Sequence, residues 1–247
     1  MFYNKIEFKT SKIALKVFSK EDYPSPAKKN LPEWFKKLQH NPDNLTVKGC
    51  MPFFDALTAG YILKIPQDIR IHHKYNENKN ENFSPQRFSF EKFFSLKYNI
   101  NLNNQIEAHP TEQLKGSPLI EKNNNLPFHK IMNPWTIKTP KGYSCLFVSL
   151  LNNEDDRFSP LAGIVDTDTY EKEINFPIVI NCDKYKELDT ILKKGTPYVQ
   201  IIPFKREKWK MSIKEITVLE KDVINMKYFL NFFRIYQNKF WSKKTWI

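Results

Sequence analysis

Residues 140–204 read PKGYSCLFVSLLNNEDDRFSPLAGIVDTDTYEKEINFPIVINCDKYKELDTILKKGTPYVQIIPF. Apolar runs of single-strand length, rich in β-branched and aromatic residues, alternate here with short polar turns holding Gly, Pro, Asn or Asp. TIKTPKGYSCLFVSLL reads as a strand, a Pro-Lys-Gly-Tyr turn and a buried strand. LAGIVDTDTYEKEINFPIVIN reads as a strand, an acidic turn and a second strand, and ILKKGTPYVQIIPFKREKW as a tight glycine turn entering another strand. The expected class is mainly β.

On the N-terminal side, GCMPFFDALTAGYILKIPQDIRI (residues 49–71) reads as two strands joined through a bend at Thr58–Gly60. Residues 1–18 alternate apolar and charged side chains and read as a strand or hairpin element. The prolines at 24, 26 and 32 impose an extended path before a short helix that starts near Pro32, with Trp34, Phe35 and Leu38 on one face. Asn, Lys and Glu from Tyr75 to Asn82 mark a polar loop, and FSFEKFFSLKYNINL further on reads as one or two strands. From about Lys221 the pattern turns helical, with Ile224, Tyr228 and Phe232 at i, i+4 and i+8. Three regions result: a lead-in over 1–48, a β core over 49–205 with an insertion at about 75–130, and a basic aromatic tail over 206–247.

Composition narrows the function classes. The 247 residues are 40% hydrophobic and 15% aromatic, enough for a sizeable core. No apolar run approaches the roughly 20 residues that cross a bilayer, and the N-terminus lacks a continuous apolar leader segment. The chain is therefore expected in the cytoplasm of the cell that makes it, away from membranes. Cys50, Cys145 and Cys182 are odd in number and far apart, as in a reduced protein without a disulfide framework or zinc pair. The net charge of +12 invites a nucleic-acid reading, but the lysines are scattered except in the tail. Residues 205–247 hold eleven Lys/Arg against four Asp/Glu.

Four of the six glycines sit in turn motifs: AGY at 59–61, PKGY at 140–143, GIVDTDTY at 163–170 and KKGTPYVQ at 193–200. In order and spacing these resemble the dUTPase and dCTP-deaminase superfamily, with its SAGYDL, PPGY, GxIDxxY and KxGDRIAQ segments. The chain also resembles an uncharacterised phage and bacterial domain family with PPGYS, GIVDTD and GTPFxQVIPF-like segments. The resemblance spans about residues 55–205 and implies a dUTPase-like β-clip, a distorted β-barrel or sandwich, here with a short N-terminal helix and a basic C-terminal helix. It also implies a homo-oligomer, a trimer by analogy.

The resemblance places Asp166 as the carboxylate that orients the attacking water, with Asp168 beside it. Tyr170 is placed against a sugar, and Tyr61, Arg157 and Gln200 along the ligand; Mg²⁺ would accompany a bound nucleotide. The departures are specific. Ile62 stands where the family has an aspartate, and LLNNEDDRF puts Asp155, Asp156 and Arg157 in place of a Ser-Gly phosphate loop. VDTDTY is one residue longer than the family pattern, and no glycine-rich C-terminal arm follows. These argue against standard dUTP hydrolysis and leave a divergent nucleotide hydrolase as the catalytic expectation. From the residues alone, Asp166 and Asp168 equally suit a turn held by side-chain hydrogen bonds, and Gln200 a strand residue that satisfies backbone groups.

Two further readings stay open. One is a phage-encoded, non-catalytic assembly or host-interaction module that keeps the β scaffold. The other is nucleic-acid binding by the tail, where Lys210, Lys214, Lys227, Arg234, Lys239, Lys243 and Lys244 accompany Trp209, Trp241 and Trp246. His72, His73 and the Glu107-x-His109 pair lack the spacing of a metal site, and no His-x-Asp motif with a distal His and Arg points to an oxygenase.

Overall fold

The computed structural model describes residues 4–74, 108–229 and 236–247. Its class is mainly β, with thirteen strands in those residues. The expected strands within 83–107 and the turn pattern at 230–235 lie outside the described residues.

Five strands form the largest sheet, in the order β10 (Gly163–Val165), β8 (Tyr143–Val148), β13 (Pro197–Lys205), β3 (Tyr61–Lys64) and β2 (Ser25–Pro26). A second sheet runs β5 (Ala108–His109), β6 (Phe128–Ile131), β11 (Phe176–Ile180) and β9 (Phe158–Pro160). Two antiparallel pairs complete the β structure: β1 (Glu7–Lys9) with β7 (Thr136–Lys138), and β4 (Ile69–Lys74) with β12 (Glu187–Leu192). One core joins them, with Leu63, Ile71, Ile137, Phe158, Ile178, Ile180, Leu192 and Ile201 all but closed to solvent. β11 is apolar on both faces: Ile178 and Ile180 enter this core, while Val179 packs with Phe128 and with Ile120 of the short helix Pro118–Lys122. That explains a continuous apolar run in place of alternation.

Strands expected as neighbours belong to different sheets. The Asp166–Tyr170 segment was expected to be a hairpin tip, but β10 pairs with β8 while β11 pairs with β6 and β9. The acidic segment is a crossover between sheets, because β11 needs apolar cover on both faces. The two-strand reading of residues 49–71 is also corrected. α3 (Met51–Thr58) precedes the bend, with Met51, Leu57 and Thr58 buried and Phe54 stacked on Phe35 at 6.1 Å. Pro52 occupies the first turn, where its missing N–H costs nothing. A short apolar run cannot reveal its own period, so strand and helix look alike there.

The N-terminal reading changes likewise. After β1, Ser11 accepts a hydrogen bond from the Ala14 amide at 3.1 Å and starts α1 (Lys12–Val17), so residues 1–18 are not one extended element. The helix near Pro32 is present as α2 (Glu33–Lys37), but Phe35 is buried while Trp34 on the adjacent side is exposed. The C-terminal helix runs Val218–Phe229, starting three residues earlier than expected, with Thr217 and Glu220 exchanging hydrogen bonds at its start.

Gly60 adopts φ +66, and a Cβ on it would lie 1.9 Å from the Ile201 carbonyl oxygen. Only glycine permits this approach of the β3 entry to β13. Gly142 and Gly195 also take positive φ, whereas Gly163 sits in ordinary strand geometry.

Candidate functional site

The acidic crossover begins where β10 ends, and Thr167 anchors it. The Thr167 side chain is fully buried, 2.7 Å from the Thr139 hydroxyl, and donates to Cys145 Sγ at 3.3 Å. With Thr167 turned inward, Asp166 and Asp168 flank it and meet Arg206, the residue just after β13.

Asp168 is the more enclosed. Its Oδ1 accepts from Arg206 Nη1 at 2.9 Å, and its Oδ2 from Arg206 Nη2 and from the Gly142 amide at 2.8 Å. The guanidinium beside it, with the Gly142 amide, holds its carboxyl down at about 2. The side chain of Asp166 is exposed; its Oδ1 accepts from the Ser144 hydroxyl at 2.6 Å and lies 3.1 Å from Arg206 Nη1. Arg206 also donates to the Tyr143 carbonyl and the Ser144 hydroxyl at 3.0 Å, and its amide to the Gly142 carbonyl at 2.8 Å. The result is a clasp joining the acidic crossover, the PKGY turn and the exit of β13. Tyr170 belongs to the same loop: its amide donates to the Asp166 carbonyl at 2.9 Å, and its ring is exposed.

The other candidates lie apart. Gln200 is buried on β13, on the side opposite the core residues Val199 and Ile201, and serves backbone alone. Its amide donates at 2.8 Å to the carbonyls of Ala56 and Ala59, and its oxygen accepts from the Leu151 amide at 2.9 Å. It thereby ties the end of α3, whose last carbonyls have no partner within the helix, to the loop after β8. It borders a cleft of only about 10 Å³, lined also by Ile62. Arg157 is gripped side-on by Asp155 at 2.8 and 2.6 Å and donates to Thr190 on β12 at 2.8 Å. Asp156 accepts from Lys184 and, at 2.9 Å, from Tyr185. Tyr61 is buried among Phe8 and Trp246, and its hydroxyl donates to the Ile247 carbonyl at 3.2 Å. Asp166, Asp168 and Tyr170 therefore come together, and no hydrogen bond or ion pair among the described residues links them to Arg157, Gln200 or Tyr61.

The clasp does not fit a magnesium ion. Both Asp168 oxygens already face the guanidinium, and a cation there would have to displace Arg206. No group of three or more His, Cys, Asp or Glu among the described residues could hold a metal. His109 stacks on Phe128 and meets Gln113, while His73 faces His129 edge-on at 5.9 Å. All three cysteines are free; Cys145 and Cys182 are buried, which pushes both thiols up to about 11, and Cys50 is exposed.

In the tail, Trp241 Nε1 and Lys244 Nζ both donate to Asp55 of α3, at 2.9 and 2.7 Å, and Trp246 packs on the core. Lys210, Lys214, Lys239 and Lys243 are exposed. Arg234 and the side chain of Lys227 lie outside what is described. Among the described residues no helix is long and apolar enough to cross a membrane.

Sequence reasoning passed over Arg206 and Ser144. The signal for the first was its rarity, since 34 of the 39 basic residues are lysine. Each described arginine grips both oxygens of an aspartate: Arg70 with Asp189 and Arg157 with Asp155 side-on, through Nε and Nη2, and Arg206 with Asp168 end-on, through Nη1 and Nη2.

No protein-family model matches the chain, and no curated protein matches it. Solved structures of phage dUTPases resemble it over most of its length. The dUTPase from phage phi11 of S. aureus, in a mutant form, is 10% identical, with 88% of this chain and 99% of that chain covered and a TM-score of 0.34. A mutant dUTPase of Staphylococcus bacteriophage 80alpha is 10% identical, covering 87% of this chain and 97% of that one, at a TM-score of 0.35. A second mutant of it, with dUpNHpp, is 12% identical, covering 87% and 92%, at 0.31. With TM-scores below 0.5, the fold of this chain is defined by its own strand pairing.

Proposed function

We propose that the chain is a non-catalytic assembly module that joins a second copy of itself through the segment leaving β13. One observation carries this reading. Residues 208–214, KWKMSIK, alternate polar and apolar side chains with the period of a strand, yet Trp209, Met211 and Ile213 are 88%, 83% and 88% exposed. Val218 and Leu219 at the start of the following helix are exposed as well. These five large apolar side chains, exposed within eleven residues, support an interaction site.

A second copy offers a matching edge. β10 is the outermost strand of the five-stranded sheet, with Ile164 63% exposed, and the loop after it presents the exposed Asp166, Glu171 and Glu173. An incoming strand bearing Lys208, Lys210 and Lys214 complements that charge while its backbone completes the sheet. The commitment of Asp166, Asp168, Arg157 and Gln200 to internal partners supports a scaffold role in preference to nucleotide hydrolysis.

Mass photometry of the full chain and of a Trp209→Ser/Met211→Ser/Ile213→Ser variant tests the reading. The full chain is expected as an oligomer and the variant as a monomer. A full chain that is monomeric at micromolar concentration overturns it, above all if that monomer binds single-stranded oligonucleotides with a steep salt dependence.

A further inference from the structure

The β4–β12 ribbon leaves the five-stranded sheet from one end, since β3 leads into β4 and β12 into β13. That end is fastened. The Ile65 amide donates to the Thr196 carbonyl, the Gly195 amide to the Ile65 carbonyl and the Lys194 amide to Asp68 Oδ1, each at 2.8 Å. Towards the other end of the ribbon, His73 stands opposite Leu188. Ile69, Ile71 and His73 follow one another on the core face of β4, so a histidine takes the third apolar position.

On β6 of the second sheet, His129 shares the core face with Ile131. The two imidazoles meet edge-on, with ring centroids 5.9 Å apart. They are 3% and 5% exposed, and His73 Nε2 and His129 Nδ1 are buried with no hydrogen bond among the described residues. The surroundings supply no counter-charge. Opposite His129 stand Ala108 of β5 and Ile178 of β11. Glu187 and Asp189 of β12 lie on the ribbon's exposed face, where Asp189 grips Arg70 and sits 3.5 Å from His72. Lys130, next to His129, lies on the other face of β6, and Lys122 precedes the Asn123 turn. A backbone group of Asn123 favours the charged form of His73, and His72 opposes it.

We propose that the His73–His129 contact is an acid-operated latch: protonation of both rings releases the far end of the β4–β12 ribbon from the second sheet while the five-stranded sheet stays folded. Two charges at this separation in apolar surroundings repel each other and cannot be hydrated until the elements part. Burial holds both rings down to about 4, whereas an exposed imidazole titrates near 6.5. The closed state is therefore fully favoured above pH 6.5 and loses ground as pH falls toward 4. The ribbon moves as a unit, because the Asp189 carboxyl that Arg70 grips is held down at about 2 and stays charged in this range. Asp68 at the fastened end is likewise held below the usual carboxylate range, by the Lys194 amide first.

Hydrogen exchange of the full chain at pH 7 and pH 4.5, with rates corrected for the intrinsic pH dependence of amide exchange, tests the latch. Amides of residues 69–74 and 187–192 are expected to exchange about a hundredfold faster at the lower pH, and those of β8 and β13 less than about threefold faster. His129→Leu and His73→Phe each remove one ring and are expected to reduce the ribbon's gain to about tenfold. His109→Gln, on the opposite face of the second sheet, is expected to leave it unchanged. Equal acceleration of the ribbon and β13, no acceleration of the ribbon, or a full response in both single-ring variants overturns the proposal.

Discussion

At the scale of single residues, the polar side chains that looked reactive in the sequence are joined to backbone or to one another. Gln200→Ala removes three bonds to buried or helix-terminal backbone groups and is expected to lower unfolding free energy by about 3 kcal/mol. Urea denaturation measures this, and a loss within about 0.5 kcal/mol, the ordinary range for surface positions, contradicts the bracing role. Gly60→Ala is expected to cost at least about 2 kcal/mol, since left-handed backbone and a blocked approach to Ile201 add together. The buried imidazoles give a pH signature. His73 and His129 are each held down to about 4, chiefly by burial. The unfolded chain takes up protons near pH 6.5 and the folded chain does not, so stability is complete above that pH and falls as pH drops toward 4. Each group contributes on the order of 3 kcal/mol to that loss. His129→Leu is expected to flatten the decline between pH 6.5 and 5 in urea midpoints; an unchanged slope places the titration elsewhere.

At the scale of elements, the clasp ties the crossover that follows β10 to the exit of β13, two strands that flank β8 without pairing with each other. Asp168→Asn removes the charge that Arg206 grips, and trypsin is expected to cut between Arg206 and Lys214 several-fold faster as local opening becomes easier. Asp166→Asn, at an exposed carboxylate, is expected to change the rate less. Equal rates for both variants would show that the clasp does not hold the segment. Since the Asp168 carboxyl titrates near 2, the clasp persists through the histidine titration and opens only in stronger acid. Glycine turns and strand-length apolar runs made these elements legible in advance. The period of MPFFDALT did not, because eight mostly apolar residues fit a buried strand and a buried helix equally well.

At the scale of the whole molecule, an oligomer built through residues 208–214 makes thermal stability depend on protein concentration. Raising the concentration a hundredfold is expected to raise the full chain's Tm while leaving the Trp209→Ser/Met211→Ser/Ile213→Ser variant unchanged. A Tm independent of concentration in both speaks against exchange between copies. The tail divides in function at this scale. Its last residues return to Asp55, Tyr61 and the core, while Trp209, Met211, Ile213, Val218 and Leu219 project into solvent.

The sequence by itself determined the mainly β class, the short helix after Pro32, the helical character of the tail, and the turns at Gly60, Gly142 and Gly195, because φ preferences and apolar run lengths act over a few neighbouring residues. It also located the acidic segment. Only the tertiary structure decided what that segment does, since the guanidinium that occupies it comes from Arg206, 38 residues on in the chain. The separation of β10 from β11, the service of Gln200 to α3 and the meeting of His73 with His129 are likewise set by distant packing, which no local pattern encodes.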